Sequence, residues 1–61
     1  MQVKCTHVRY YETDRVLFRQ GRVYECNKVE QGTVFLLKSE DGDIDNYPLL
    51  GHVWKFEEVR V

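Results

Sequence analysis

Short β-prone runs fill this chain, and a glycine or an acidic turn cuts off each one. Phe18-x-x-Gly21-x-x-Tyr24-x-Cys26 is followed by Thr33-Val34-Phe35-Leu36-Leu37, then by Glu40-Asp41-Gly42, then by Trp54-x-Phe56-Glu57-x-Val59. That pattern predicts a small all-β barrel or roll. A scaffold of this kind leaves little room for a buried catalytic cleft.

The whole of residues 1–61 reads as a single domain, without repeats, linkers or low-complexity segments. A chain this short buries only about 60% of the surface that its unfolded form exposes. It therefore needs a staple or unusually efficient packing. The cysteines allow at most one disulfide, Cys5 with Cys26. Phe18, Phe35, Phe56, Trp54 and four tyrosines are the alternative, because each aromatic ring buries a large area.

Nine basic residues stand against ten acidic ones. Nucleic-acid binders show a basic excess, so nucleic acid is not the expected partner. Apolar residues make up 43% of the chain, which excludes a disordered segment. A net charge near zero is compatible with a monomer or a weak homo-oligomer. Residues 1–17 are charged throughout and contain no apolar run, and no stretch approaches a membrane span. The expectation is a cytoplasmic protein that does not engage a membrane. In that compartment two cysteines are buried thiols more often than a bridge.

Five strands are expected. The first covers residues 2–8, with Val3, Cys5 and His7 sharing one face. Arg9 to Arg15 reads as a polar loop that opens on the pair Tyr10-Tyr11, with Thr13-Asp14 as turn chemistry. Gly21 supplies a positive φ before a second long strand, Arg22 to Val29, whose Tyr24 and Cys26 face the core. Glu30-Gln31-Gly32 is a hairpin turn. Thr33 to Ser39 is apolar on both faces and is expected to be central. Glu40-Asp41-Gly42 turns the chain into a fourth strand, Asp43 to Tyr47, which Pro48 ends. Leu49 to Trp54 has room for one 3₁₀ turn. Lys55 to Val61 closes the barrel with Phe56 inward. The expected core is Cys26, Phe35 or Leu37, and Phe56.

Several constellations invite chemistry, and each has a plain alternative. Asp41-x-Asp43-x-Asp45 suggests calcium, but the positions that an EF-hand loop gives to glycine and glutamate hold Asn46 and His52. A solvated acidic hairpin tip is the simpler reading. Cys5, His7, Cys26 and His52 have zinc-ligand chemistry without paired spacing, and buried thiols account for the cysteines. Neither cysteine lies in a nucleophile motif. No catalytic residue, metal or cofactor is therefore assigned. Tyr10, Tyr11, Tyr24, Tyr47 and Trp54 could form an aromatic platform for a peptide or a base, with Tyr24 and Trp54 expected in the core instead. Tyr10 and Tyr11 are adjacent, so at least one is exposed. Arg9, Arg15, Arg19 and Arg22 fall early, whereas Glu40, Asp41, Asp43, Asp45, Glu57 and Glu58 fall late. The molecule is either bipolar or simply solvated on both faces. Tyrosine and arginine are enriched at interface hot spots, which makes Arg9, Tyr10, Tyr11 and Arg15 the candidate binding residues.

Phe18-x-x-Gly21-x-x-Tyr24-x-Cys26, the following hairpin, the Glu40-Asp41-Gly42 turn and Trp54-x-Phe56-Glu57-x-Val59 together resemble small SH3-like barrel proteins of bacteriophages and prophages. The resemblance covers residues 15–61. It implies an all-β, five-stranded SH3-like barrel. The expected role is non-enzymatic: an accessory protein that binds a bacterial host protein and inhibits it by occlusion. The alternatives are a nucleic-acid-binding small barrel and a self-assembling structural protein.

Overall fold

A computed structural model describes residues 1–11 and 16–60. The described residues are all-β, with six strands: β1 Gln2–Val8, β2 Val23–Glu25, β3 Lys28–Glu30, β4 Thr33–Lys38, β5 Ile44–Pro48 and β6 Trp54–Val59. They form two three-stranded antiparallel sheets, ordered β2-β1-β6 and β3-β4-β5. No helix in this part of the chain is long and apolar enough to cross a membrane.

The count of six rather than five has a local cause. The long strand expected over Arg22 to Val29 breaks at Cys26 and Asn27. Cys26 N–H donates to the Met1 carbonyl and Asn27 N–H to the Phe35 carbonyl, both at 2.9 Å. The backbone changes partner between these two residues, from β1 to β4. One continuous run of sequence thus serves both sheets, and the two ladders stay separate instead of joining into one closed sheet.

Two irregularities decide which side chains face inward. The β1–β6 register shifts between Cys5 and His7. An extra residue on one strand of a pair reverses the alternation that follows it. His7, expected beside Val3 and Cys5, is therefore exposed, and Val8 is buried in its place. A second shift lies between Val34 and Leu37 in the β4–β5 pair. Val34 and Leu37 both point into the core, so Phe35 and Leu36 both lie on the outer side. Leu36 takes φ +51° there, and its N–H is held by Asn46 Oδ1 at 3.0 Å.

The β3–β4 hairpin turns on Gln31 and Gly32 alone, between the paired residues Glu30 and Thr33. Both turn residues have positive φ, 49° and 75°, as a two-residue type I′ turn requires. Leu49 to Trp54 makes no 3₁₀ turn. It returns as a narrow loop in which Phe56 N–H donates to Leu49 C=O at 2.8 Å and Gly51 N–H to Trp54 C=O at 3.0 Å. A Cβ on Gly51 would meet that Trp54 oxygen at 3.0 Å and Pro48 Cγ at 3.1 Å. Only a residue without a side chain fits this approach comfortably.

The core comprises Val3, Cys5, Val8, Phe18, Tyr24, Cys26, Val34, Leu37 and Phe56. Phe18 is its hub. It is fully buried and meets Tyr24, Tyr47, Trp54 and Phe56 edge-to-face, with centroids 5.0 to 5.3 Å apart. Such pairs add roughly 0.5–1.5 kcal/mol beyond the area they bury. Of the alternatives Phe35 and Leu37, Leu37 is the core residue. Phe35 lies half-buried beneath Lys28, whose Nζ sits 4.8 Å from the ring centroid.

Candidate functional site

The segment after β1 is tied to the loop before β6. Arg9 N–H donates to the Val53 carbonyl at 2.8 Å, which brings Tyr10 and Tyr11 beside Trp54. The two tyrosines are not equivalent. Tyr11 Oη accepts a hydrogen bond from Gln20 N–H at 3.1 Å, and Gln20 Oε1 in turn accepts one from Val8 N–H at 3.3 Å. Tyr11 is thereby moored to the segment around Gly21. Tyr10 is 56% exposed and Tyr11 51%.

Two depressions lie on either side of Trp54. The smaller, of about 40 Å³, is bounded by Tyr10, Tyr11, Leu17 and Trp54, with Phe18 at its floor. The larger, of about 160 Å³, lies between Tyr47, Pro48, His52, Val53 and Trp54, and its surface is almost wholly apolar. Val53 and Trp54 belong to both. The surface is thus continuous from Tyr10 across the indole to Pro48. Rigidity comes from beneath, where Tyr47 and Trp54 stand edge-to-face at 5.8 Å and both lean on Phe18.

None of the described residues lining either depression carries a carboxylate. Arg9, next to Tyr10 in the chain, is exposed and enters no ion pair among the described residues. Arg15, the fourth candidate binding residue, lies outside the described residues, as does the expected Thr13-Asp14 turn.

The bipolar charge distribution is not maintained in three dimensions. Glu40 Oε1 accepts from Arg22 at 2.9 Å and lies 3.9 Å from Arg19 Nε. Early arginines and a late carboxylate therefore meet. Tyr24 Oη joins them, donating to Glu40 at 2.9 Å and accepting from Arg19 N–H at 2.7 Å. Burial, reinforced by the adjacent carboxylate, pushes the Tyr24 phenol up to about 12. The hydrogen bond from Tyr24 and the Arg22 guanidinium hold Glu40 below its ordinary range. This network fastens the turn after β4 to the Arg19–Tyr24 segment and has the form of a structural clamp.

The groupings with metal-ligand chemistry are dispersed. Cys5 is fully buried, whereas His7 points to the opposite side of β1. Cys5 and Cys26 are free buried thiols, and burial raises both. At the acidic tip, Asp41 Oδ1 accepts from Ser39 Oγ at 2.5 Å and from Asp43 N–H at 3.4 Å, while Asp45 accepts from Asn46 N–H at 2.7 Å. Three or more metal-ligating side chains do not converge anywhere among the described residues.

Trp54, expected in the core, is instead only partly buried against it and lines both depressions, and among the lining residues Tyr47 was legible as part of an aromatic platform. Pro48, Gly51, His52 and Val53 were not. Their one sequence signal is position: they fill the gap between two aromatics that the fold brings together. Compared with protein-family profiles, with curated proteins and with solved structures, the chain matches none of them.

Proposed function

We propose that this protein is a non-enzymatic binding module that holds a protein partner on the Tyr10–Trp54–Pro48 face. The observation that carries this reading is the continuous, rigidly backed aromatic surface with a 160 Å³ apolar hollow at one end and the exposed, cationic Arg9 next to Tyr10 in the chain at the other. Interfaces concentrate their binding energy in a few aromatic and arginine side chains set around a desolvated pocket. The hollow has room for one bulky apolar side chain. Arg9, with no carboxylate among the described lining residues, favours an acidic residue beside that anchor.

The two three-stranded sheets, shared through the β2–β3 passage, are consistent with an SH3-like barrel. The resemblance to phage and prophage barrels then makes a bacterial host protein the partner, the cytoplasm the place, and inhibition by occlusion the mode of action. The test is a pull-down from bacterial lysate with wild type, Tyr10→Ser and Arg9→Ser, followed by an activity assay of the retained protein. The reading expects one partner that wild type retains and inhibits stoichiometrically, and that both variants lose. Equal retention by all three would remove this face from consideration. Binding to random single-stranded DNA that fades steeply with salt would replace the protein partner with nucleic acid.

A further inference from the structure

His52 is the one residue on the wall of the larger hollow whose kind changes charge near neutral pH. The rest of that wall is Tyr47, Pro48, Gly51, Val53, Trp54 and Phe56. Imidazole ordinarily changes charge between pH 5 and 8, whereas phenols ordinarily titrate at about 10. His52 is exposed, and no ion pair or hydrogen bond engages its ring among the described residues. The charged side chains of the surrounding elements belong to other surfaces. Arg9 reaches this loop through its backbone, donating to the Val53 carbonyl. On β5, Asp45 lies opposite Leu37 and accepts from Asn46 N–H. On β6, Lys55 lies opposite Leu50 and His7, and Glu57 and Glu58 lie opposite Lys4 and Val3. None of these lines the hollow, so no described carboxylate on its wall offsets a charge on His52.

An apolar side chain that enters the hollow displaces water from the imidazole as well as from the aromatic walls. Loss of water disfavours the charged form of an ionisable group far more than its neutral form. A filled hollow therefore prefers a neutral His52. Linkage makes the preference mutual, so a protonated His52 holds an apolar side chain less tightly. The sign follows. Affinity is full where the imidazole is neutral and declines as pH falls through its titration.

We infer that His52 is a proton switch on the hollow: its neutral form admits an apolar anchor, and its protonation in mildly acidic surroundings loosens that anchor. The inference rests on the reading of the hollow as the anchor site of the partner face. The experiment uses N-acetyl-phenylalaninamide and N-acetyl-leucinamide, apolar side chains on uncharged backbones that do not titrate between pH 5 and 8. They carry no acid, so attraction to Arg9 does not enter. Trp54, the single tryptophan, lines the hollow, and its emission and indole N–H resonance report binding. Wild type is expected to bind a probe at pH 8 and to bind it ~3–10-fold more weakly at pH 5, the effect of partly desolvating one ionisable group. His52→Gln keeps a neutral polar side chain and should bind equally at both pH values. His7→Gln changes the other histidine, exposed on β1, and should keep the wild-type decline. Saturating probe should also lower the pH at which the His52 ring resonances titrate and leave those of His7 in place. Binding that persists undiminished at pH 5 overturns the switch and leaves the anchor site standing. A decline that His52→Gln shares traces the effect to another group or to acid unfolding, and overturns the switch equally. If neither probe binds at either pH, the hollow is not an anchor site, and the switch falls with that reading.

Discussion

The Phe18 ring and the Trp54 indole meet edge-to-face, with centroids 5.3 Å apart and planes inclined at 76°. Phe18 is fully buried, whereas Trp54 is partly exposed and lines both surface depressions. This contact joins the centre of the core to the centre of the candidate binding face. The geometry of the face is therefore a consequence of core packing and does not depend on loop contacts alone.

Removing the hub should unfold the chain. Phe18→Ala is expected to cost about 3–5 kcal/mol. A domain of this length has roughly 3–9 kcal/mol in all, at 0.05–0.15 kcal/mol per residue. Phe56→Ala should behave similarly, since Phe56 is 3% exposed and meets Phe18 at 5.0 Å. Phe18→Leu should stay folded but change the emission of Trp54, the single tryptophan. Circular dichroism melts and fluorescence read both effects. A cooperative Phe18→Ala melt near the wild-type temperature would show that the hub is misplaced.

The β3–β4 turn leaves room for improvement. Gln31 occupies a positive-φ position where asparagine is far better suited, and Asn-Gly is the preferred pair for this turn. Gln31→Asn should stabilise the protein by about 0.5–1 kcal/mol, seen as a melting temperature ~2–8 °C higher. Gly32→Ala should lower it. A destabilised Gln31→Asn would mean that the hairpin turns in another way.

Much of the fold could be read from local chemistry. The bounds of β1, the turns at Gly32 and Gly42 and the central place of β4 all follow from alternation and turn residues close in sequence. What could not be read depends on residues far apart. The shift after Cys5 exists because β6 pairs with β1 from the other end of the chain, and it alone moves His7 out and Val8 in. The break at Cys26–Asn27 reflects a choice between β1 and β4 as partners. The Arg22–Glu40 pair brings together charges that sequence order separates into two poles. Of the candidate site, Arg9, Tyr10 and Tyr11 were legible as exposed hot-spot residue types. The hollow beside Pro48 was not, because it arises only when the Leu49–Trp54 return folds against β5.

The Tyr24–Glu40 clamp should give stability a recognisable pH dependence. A tyrosine held at about 12, above the free value of about 10, keeps its proton in the folded state after the unfolded chain has lost it. Its contribution is full below about pH 10 and disappears as pH rises through about 12. Glu40 works at the opposite end. Its depressed carboxyl contributes above the ordinary carboxylate range and loses that contribution as pH falls through its folded value. Tyr24→Phe should therefore cost about 1–2 kcal/mol at neutral pH and show a shallower alkaline decline than wild type. Parallel melting-temperature profiles from pH 7 to 11 would refute the clamp.

The thiols should be inert while the protein is folded. Cys5 and Cys26 are 0% and 8% exposed, and burial raises both above the ordinary thiol range, which lowers the reactive thiolate fraction. Iodoacetamide at pH 8 should modify neither cysteine in native protein and both after denaturation. Reductant should leave the melting temperature unchanged. Prompt native labelling, or a reductant-dependent shift of many degrees, would contradict this arrangement.

Tyr10 and Tyr11 should separate binding from folding. Tyr11 Oη accepts the Gln20 N–H, and Gln20 in turn holds the end of β1 through Val8 N–H. Tyr11→Phe removes one partly solvated hydrogen bond and is expected to cost about 0.5–1.5 kcal/mol. Tyr10 has a comparably exposed ring, so Tyr10→Ser should melt within ~0.5 kcal/mol of wild type, as surface changes usually do. Its effect should fall on the partner. Loss of a central aromatic contact typically weakens binding by 2 kcal/mol or more, about thirtyfold in dissociation constant. Titration calorimetry with the captured partner measures that change, and melts on the same samples measure the other. If Tyr10→Ser binds as wild type does while Tyr11→Phe does not, the contact surface follows the moored tyrosine toward Gln20 and Gly21. If neither change affects binding, the aromatic face is not where the partner sits.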